Sequence, residues 1–386
     1  MPHMSKIMLI SCENVRFGYD DKIILDDVCF TLSEGERVGL IGPNGEGKTT
    51  LIRLLAGALE PDAGKIVKKS GLRIGWLEQN GGLESDKTVY AEMQSVFAPV
   101  YKAMDEQRGI GTRLAQVEEG SREAQALAAR YEQLEKQIAA ADGYNAEVRI
   151  RTVLGGMGFA DRLEQRICTM SGGEKTRLKL CRLLLEQPEI LFLDEPTNHL
   201  DVSTMYWLEE YLKGYRGAIF TVSHDRFFLD AAVGKILELE NCRVRAFRGN
   251  YSKYKILKAE LYEHELKEYE KQQEEIAALQ DYVARNIVRA TTAKSAQSRV
   301  KKLESMERLE KPLPPPKPPK FAFAADERSE ERTLSVEGLT LTAGGRTLLQ
   351  NANFSLRRGE KAAVPGGNGA GEGTLIRAIV QGNDPA

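Results

Sequence analysis

The sequence predicts an α/β fold of short buried strands, interrupted by one helical insertion and followed by a helical linker. Three observations predict it. Short apolar runs end in polar residues or glycine loops, as where GPNGEGKTT at 42–50 leads into the helically spaced LIRLLAGAL; strand, loop and helix is the reading. Residues 81–165 turn to charged stretches such as SREAQALAARYEQLEKQIAA, whose apolar positions three and four apart predict an amphipathic hairpin helix. Residues 251–310 are charge-rich and almost free of glycine and proline, which predicts long helices.

The remaining elements follow in order. Residues 166–250 return to short buried runs, ILFL and AIFTV. PLPPPKPPK at 312–320 predicts the end of the linker helices, because proline lacks the amide donor and clashes with the preceding turn; a stiff extended spacer is expected there. Beyond it, residues 333–381 align with 9–57 without a gap. Thirteen identities recur, among them Gly42, Asn44, Gly45, Gly47 and Thr50 as Gly366, Asn368, Gly369, Gly371 and Thr374. The second stretch is a partial copy of the first domain's opening.

Composition narrows the class. A chain of 386 residues with 42% hydrophobic and 28% charged residues is an ordinary globular protein of two or more domains. The net charge of -2 gives no global attraction to nucleic acid or membrane. Five scattered cysteines without a CxxC pair argue against a disulfide framework, a zinc ribbon or an iron–sulfur module. The opening MPHMSKIMLI is too short an apolar run for a signal peptide, and no segment approaches the length of a membrane span.

The chemistry concentrates in the first copy. Gly42-x4-Gly47-Lys48-Thr49 fits the phosphate-loop pattern in full. Its glycines turn backbone amides toward phosphates, Lys48 neutralises β- and γ-phosphates, and the Thr49 hydroxyl ligates Mg2+. Ile190 to Glu195, ILFLDE, is an apolar strand ending in two carboxylates, which at the end of a buried parallel strand face the ligand crevice. Asp194 is expected to hold Mg2+ through water and Glu195 to orient and deprotonate the attacking water. SGGEK at 171–175 precedes a predicted helix; it reads as an anion-binding helix start or, standing alone, as an ordinary N-cap. His224, after the AIFTV strand, is placed to contact a γ-phosphate.

This ordered set resembles an ATP-binding cassette. The resemblance covers residues 5–250 and implies a P-loop NTPase of the ABC type. It implies Tyr19 as the adenine-stacking aromatic, and Gly42, Asn44, Gly45, Gly47, Lys48, Thr49 and Thr50 around the phosphates. It further implies Gln79 as the Q-loop residue and metal contact, and Ser171, Gly172, Gly173 and Glu174 as the signature. Asp194 and Glu195 match Walker B, Leu200-Asp201 the D-loop, and His224 the switch histidine. The helical insertion at 81–165, the charged linker at 251–320 and a second, partial cassette at 333–386 are similar to the ABC-F proteins, soluble tandem ATPases that act on the ribosome. ATP and Mg2+ as cofactors, ribosome and tRNA as partners through the linker, no membrane partner and a cytoplasmic location follow from that resemblance. In that family the insertion is an arm and the linker reaches the peptidyl-tRNA.

Residues 285–302 carry Arg285, Arg289, Lys294, Arg299, Lys301 and Lys302 and no acid, so salt-dependent contact with an RNA backbone is expected. No aromatic lies in that stretch, which speaks against base stacking.

The second loop is damaged. Glu372 stands at the Lys48 position, Gly373 at Thr49 and Ala343 at Tyr19. Beside a triphosphate the attraction lost and the repulsion gained are each worth about 4 kcal/mol per unit-charge pair at an effective dielectric near 20. This loop is expected to bind no nucleotide. In ABC dimers each ATP sits between the loop of one cassette and the signature of the other, and this sequence contains one signature. The expectations are weak hydrolysis at a single open site, or two chains paired head to tail. The function so read is an ATPase in translation regulation or antibiotic-resistance ribosome protection. A non-catalytic truncated remnant that binds ATP is the alternative, and a transporter ATPase subunit fits less well.

Overall fold

The computed structural model describes residues 7–20, 22–78, 82–118, 120–198, 200–286, 293–314, 331–343, 345–366 and 370–381. The chain divides into two compact units, Met1–Asn250 with Ser329–Ala386, and Tyr251–Arg328.

The first unit opens with β1 (Met8–Tyr19), β2 (Lys22–Ser33), β3 (Arg37–Ile41), α1 (Lys48–Ala56), β4 (Ala63–Lys68) and β5 (Ile74–Leu77). A helical stretch follows, with α2 (Val89–Val96), α3 (Ala98–Leu114), α4 (Arg122–Ala140) and α5 (Ala146–Gly156). The chain then returns to alternation through α6 (Gly172–Glu186), β6 (Ile190–Asp194), α7 (Val202–Lys213), β7 (Ala218–Val222), α8 (Arg226–Ala232), β8 (Lys235–Glu240) and β9 (Arg243–Arg248).

The six-stranded sheet has the order β5-β6-β7-β3-β8-β9. All neighbours in it are parallel except β8 and β9. Every residue of β6 (ILFLD) and β7 (AIFTV) is buried. Such near-continuous apolar runs, unlike alternating ones, suit strands covered on both faces. A second, antiparallel sheet has the order β2-β1-β4. One core serves both sheets: Ile10, Leu25, Leu40, Leu51, Ile52, Phe192 and Phe220 belong to a single buried cluster. Phe192 meets Phe220 edge-on at 5.6 Å, and Phe30 of β2 stacks on Phe220 at 6.3 Å. The strand β3 that feeds the 42–49 loop is held from both sides, by β7 and β8.

In the helical insertion α3 and α4 pack through Ala103, Ile110, Leu134 and Ile138, all buried. Arg130 spans the pair with a two-pronged bridge to Glu106, at 2.7 and 3.0 Å. Ser121 caps α4 by accepting from the Ala124 amide at 3.1 Å.

The second unit is a helical hairpin of α9 (Tyr251–Asn286) and α10 (Ala293–Ser305). Ile276 and Ala296 are buried in it. Lys302 bridges to Glu275 at 2.6 Å, and the Arg299 guanidinium lies 3.3 Å from the Tyr282 ring centroid. Proline does not end these helices as expected. α10 stops at Ser305, before Pro312, and Gln272 of α9 captures the backbone beyond it, donating to Glu307 O and accepting from Leu309 N, both at 2.8 Å.

The repeat is visible in three dimensions. β10 (Arg332–Ala343) and β11 (Arg346–Arg357) pair antiparallel, and α11 (Glu372–Gln381) follows. The pairs Leu334–Leu356, Val336–Phe354 and Leu341–Leu349 reproduce Ile10–Leu32, Cys12–Phe30 and Phe17–Leu25 of the first hairpin. Even the left-handed positions recur: Asn14 and Asp27 at φ 49° and 54°, Gly338 and Asn351 at φ 65° and 49°. The copies part at residues 361–365, KAAVP, which form no strand where RVGLI forms β3. Pro365 replaces Ile41, and proline cannot donate to a central ladder.

One core residue invites a test. Thr221 in β7 is fully buried and its hydroxyl has no hydrogen-bond partner. Thr221→Val removes a desolvated hydroxyl at nearly constant shape, and is expected to leave stability unchanged or to raise it by about 1 kcal/mol. Thermal and denaturant unfolding measure this; a clear loss of stability would mean that the hydroxyl has a partner.

Candidate active site

The loop after β3 owes its shape to glycine. Gly42 has φ 157°, and a Cβ there would collide with the Leu239 carbonyl of β8; Gly47 has φ 100°, and a Cβ would collide with Ile24 of β2. Any side chain at either position would push the loop off the sheet. Gly47 is also the N-cap of α1, and no side chain caps that helix. Its first-turn amides are thus left for an anion, with the positive end of the helix dipole behind them.

Lys48 closes over the loop. Its ammonium donates to Gly42 O at 2.8 Å, Pro43 O at 2.9 Å and Asn44 Oδ1 at 3.4 Å. Burial lowers its pKa, while Glu195, Asp194 and Glu46 pull the other way. Thr49 Oγ1 donates to Asp194 Oδ2 at 3.0 Å, which ties the first turn of α1 to the end of β6. Burial raises the Asp194 carboxyl above its ordinary range, against the pull of Thr49, Lys48 and Arg53.

Glu195 follows at φ 52°, a left-handed position; its amide donates to Val222 O of β7 at 2.9 Å. The side chain turns inward, 9% exposed. One oxygen accepts from the His224 amide at 3.3 Å. The other lies 3.5 Å from His224 Nε2, and is buried without a hydrogen bond. Burial raises its pKa too.

Two raised carboxylates beside a half-buried lysine are an unbalanced group that a cation and a polarised water would complete. Among the described residues no cluster of three or more His, Cys, Asp or Glu is placed to hold a metal. Thr49 and Asp194 suit Mg2+, which takes few protein ligands and fills its octahedron with phosphate oxygens and water.

The structure thus brings Lys48, with its contacts to Gly42 and Asn44, and Thr49 beside Asp194, Glu195 and His224. Gly45 sits in the same loop at φ 84°, and Thr50 lies half-buried on α1. Tyr19 ends β1, 45% exposed, with its ring edge-on to Phe17 at 5.0 Å. Gln79 lies outside the described residues.

The SGGEK stretch starts α6, where the structure shows the N-cap geometry. Ser171 is the N-cap and forms a capping box with Glu174; Gly172 and Gly173 make the first turn. Among the described residues no hydrogen bond or ion pair joins Ser171–Glu174 to the 42–50 loop. Sequence reasoning missed the anchors of this turn. Lys175 donates to both oxygens of Glu84 at 3.0 Å, Arg162 bridges to Glu174, and Arg182 of α6 bridges to the buried Glu92 of α2. Only the Ser-x-x-Glu spacing of the capping box was a local signal; the other anchors join residues far apart in sequence.

The linker candidates divide. Arg285 bridges to Asp281 at 2.9 Å, Lys302 to Glu275, and Arg299 covers Tyr282. Lys294 and Lys301 are exposed. Arg289 lies outside the described residues. Residues 285–302 themselves carry no aromatic, but Tyr282, just before them on α9, packs against Arg299.

The Glu195 geometry carries a stability prediction. A buried carboxylate with its pKa raised penalises the folded state at neutral pH, and the penalty fades as pH falls through the raised value. Glu195→Gln is therefore expected to melt higher than the wild type at pH 7.5 without nucleotide, by about 1 kcal/mol. The gap should close on acidification. A less stable variant at pH 7.5 would contradict the assigned burial penalty.

Comparison with known proteins follows the same outline. Residues 25–198 match a family model described as ABC transporter, and residues 237–323 match a second model of the same description. The chain is 34% identical over 377 residues to the uncharacterized ABC transporter ATP-binding protein YfmM of Bacillus subtilis, covering 96% of this chain and 71% of that protein. It is 35% identical over 385 residues to ABC transporter F family member 5 of Arabidopsis thaliana, covering 96% of this chain and 54% of that protein. It is 33% identical over 360 residues to the energy-dependent translational throttle protein EttA of Haemophilus influenzae, covering 92% of this chain and 63% of that protein. The chain spans little more than half the length of several such relatives. No described helix is long and apolar enough to cross a membrane. With an intact phosphate loop tied to a carboxylate-ended strand, and with this match to YfmM, the chain belongs to the ABC transporter ATP-binding family.

Proposed function

We propose that this chain is an ABC-F-type ATPase that binds Mg-ATP at the 42–49 loop and acts in translation. The observation that carries the reading is the meeting of Thr49, Asp194 and Glu195 at the end of β6, with one Glu195 oxygen buried and unbonded beside His224.

The residues divide the work. Lys48 exchanges the carbonyls of Gly42 and Pro43 for β- and γ-phosphate oxygens, and the uncapped first turn of α1 receives the same phosphates. Thr49 and Asp194 hold Mg2+, which supplies charge neutralisation on the phosphates when bound. Glu195 orients the attacking water and takes its proton, a task matched to a carboxylate whose pKa burial has raised. His224, tied to Glu195, faces the γ-phosphate. Tyr19 stacks on adenine, and Gln79 completes the metal's surroundings. Ser171 to Glu174 meet the nucleotide of an opposing cassette.

The linker is the RNA-facing part of the reading. Lys294 and Lys301 are exposed, and the ion pairs of Arg285 and Lys302 are solvent-exposed. Pairs of that kind are worth about 0–1 kcal/mol and yield readily to phosphate. The name of EttA supports translation as the setting; ribosome and tRNA are the proposed partners, and the cytoplasm the proposed location. Glu372 keeps nucleotide from the second loop. Two copies of this chain, paired head to tail, would bring each signature to the other's phosphate loop.

ATPase rates with and without ribosomes test the reading. Lys48→Ala is expected to lower kcat/KM by about 100-fold or more, and ribosomes to raise the wild-type rate. Ribosomes without effect would remove the translational role; an undiminished Lys48→Ala rate would remove the loop's role. Sedimentation velocity of Glu195→Gln with Mg-ATP tests the pairing: a heavier species is expected, and a monomer at high concentration would exclude it.

A further inference from the structure

The signature turn is closed on itself. The Ser171 amide and hydroxyl both donate to Glu174 Oε2 at 2.8 Å, and the hydroxyl oxygen accepts from the Glu174 amide at 3.4 Å. The hydroxyl proton is therefore already committed to a carboxylate. A phosphate that takes it must draw the hydroxyl away from Glu174 and then sit beside a negative charge. Lys175 offers no relief, because its ammonium holds both oxygens of Glu84.

Arg162 is the group placed to solve this. From the turn after α5 its Nη1 donates to the other Glu174 oxygen, Oε1, at 2.5 Å. The guanidinium is itself steered: its Nε donates to Gln165 Oε1 at 2.6 Å, and Gln165 Nε2 donates to Thr169 Oγ1 at 3.2 Å. The pair is partly shielded, with side chains 36% and 21% exposed. Such a chain of donors fixes where the Glu174 carboxylate points, as well as its charge.

We propose that Arg162 is a positioning residue for nucleotide engagement at the signature: it pins and neutralises Glu174, so that an incoming triphosphate can take the Ser171 hydroxyl. The proposal rests on the reading of SGGEK as the surface that meets an opposing cassette's nucleotide. Protonating Glu174 is no alternative route. Burial would raise its pKa, but hydrogen bonds from Arg162 and Ser171 outweigh that and hold it at about 2. The carboxylate stays ionised at any working pH, and its charge has to be balanced in place.

A double-mutant cycle on the full chain decides the matter. Steady-state ATPase against Mg-ATP concentration is measured for wild type, Arg162→Gln, Glu174→Gln and the double variant, with Lys48→Ala as the blank. Arg162→Gln is expected to raise KM by about 5- to 20-fold with kcat within about twofold, the signature of lost binding. Glutamine at 174 keeps the capping box without the charge, so in that background the Arg162→Gln effect should shrink to about twofold or less. Arg162→Lys should restore most of the affinity. An equal penalty in both backgrounds, or none in either, would overturn the proposal, since Arg162 would then not act through the Glu174 charge. Melting curves accompany each variant; should Arg162→Gln fail to fold, Arg162→Lys with and without Glu174→Gln supplies the same cycle. Wild-type turnover no higher than Lys48→Ala would fell the reading of the loop itself and this proposal with it. Normal turnover with a background-independent penalty fells Arg162 alone.

Discussion

The hydrogen bond from Thr49 to Asp194 joins two elements that are 145 residues apart in sequence. It can form only if α1 starts where β3 leaves off and if β6 ends level with that start. Gly42 and Gly47 secure the first condition, because any Cβ would strike Leu239 or Ile24. The parallel ladder from β6 through β7 to β3 secures the second. The apolar core beneath, centred on Phe192 and Phe220, serves to hold that register. Local backbone geometry, sheet order and chemistry converge on one contact.

Around that contact lies a second level of organisation. The signature turn at the start of α6 is fastened to Arg162 and Glu84, and the body of α6 to Glu92 of α2. Backbone bonds add to these, from Val89 to Gln165 and from Ile167 to Lys87. The segments leading out to the α3–α4 hairpin and back from it are therefore stitched to each other and to α6. A displacement of the insertion would be felt at the signature through a short run of charged and backbone bonds.

Much of this was legible in the sequence, for identifiable reasons. The 42–50 loop, its following helix and the DE pair after ILFL are local patterns, because glycine geometry and buried apolar runs act within a few residues. The repeat was legible because the same hairpin needs the same turn and core residues, and the structure returns the same register in β10–β11 as in β1–β2. The linker's ends were not. α10 ends at Ser305 through Gln272, a side chain on another helix, and no proline marks that. Nor was the engagement of Arg299 with Tyr282, or of Arg162 with Glu174, available from charge counts: a basic run says how many cations there are, and only packing says which are already occupied.

The two copies of the loop differ where the phosphates would be held, with Lys48 and Thr49 in the first against Glu372 and Gly373 in the second. Equilibrium binding of Mg-ATP to the full chain, read as nucleotides bound per polypeptide, tests the effect of that difference most directly. The account predicts one, falling to none when Lys48 is replaced by alanine. Two per chain, or one that survives loss of Lys48, would contradict it.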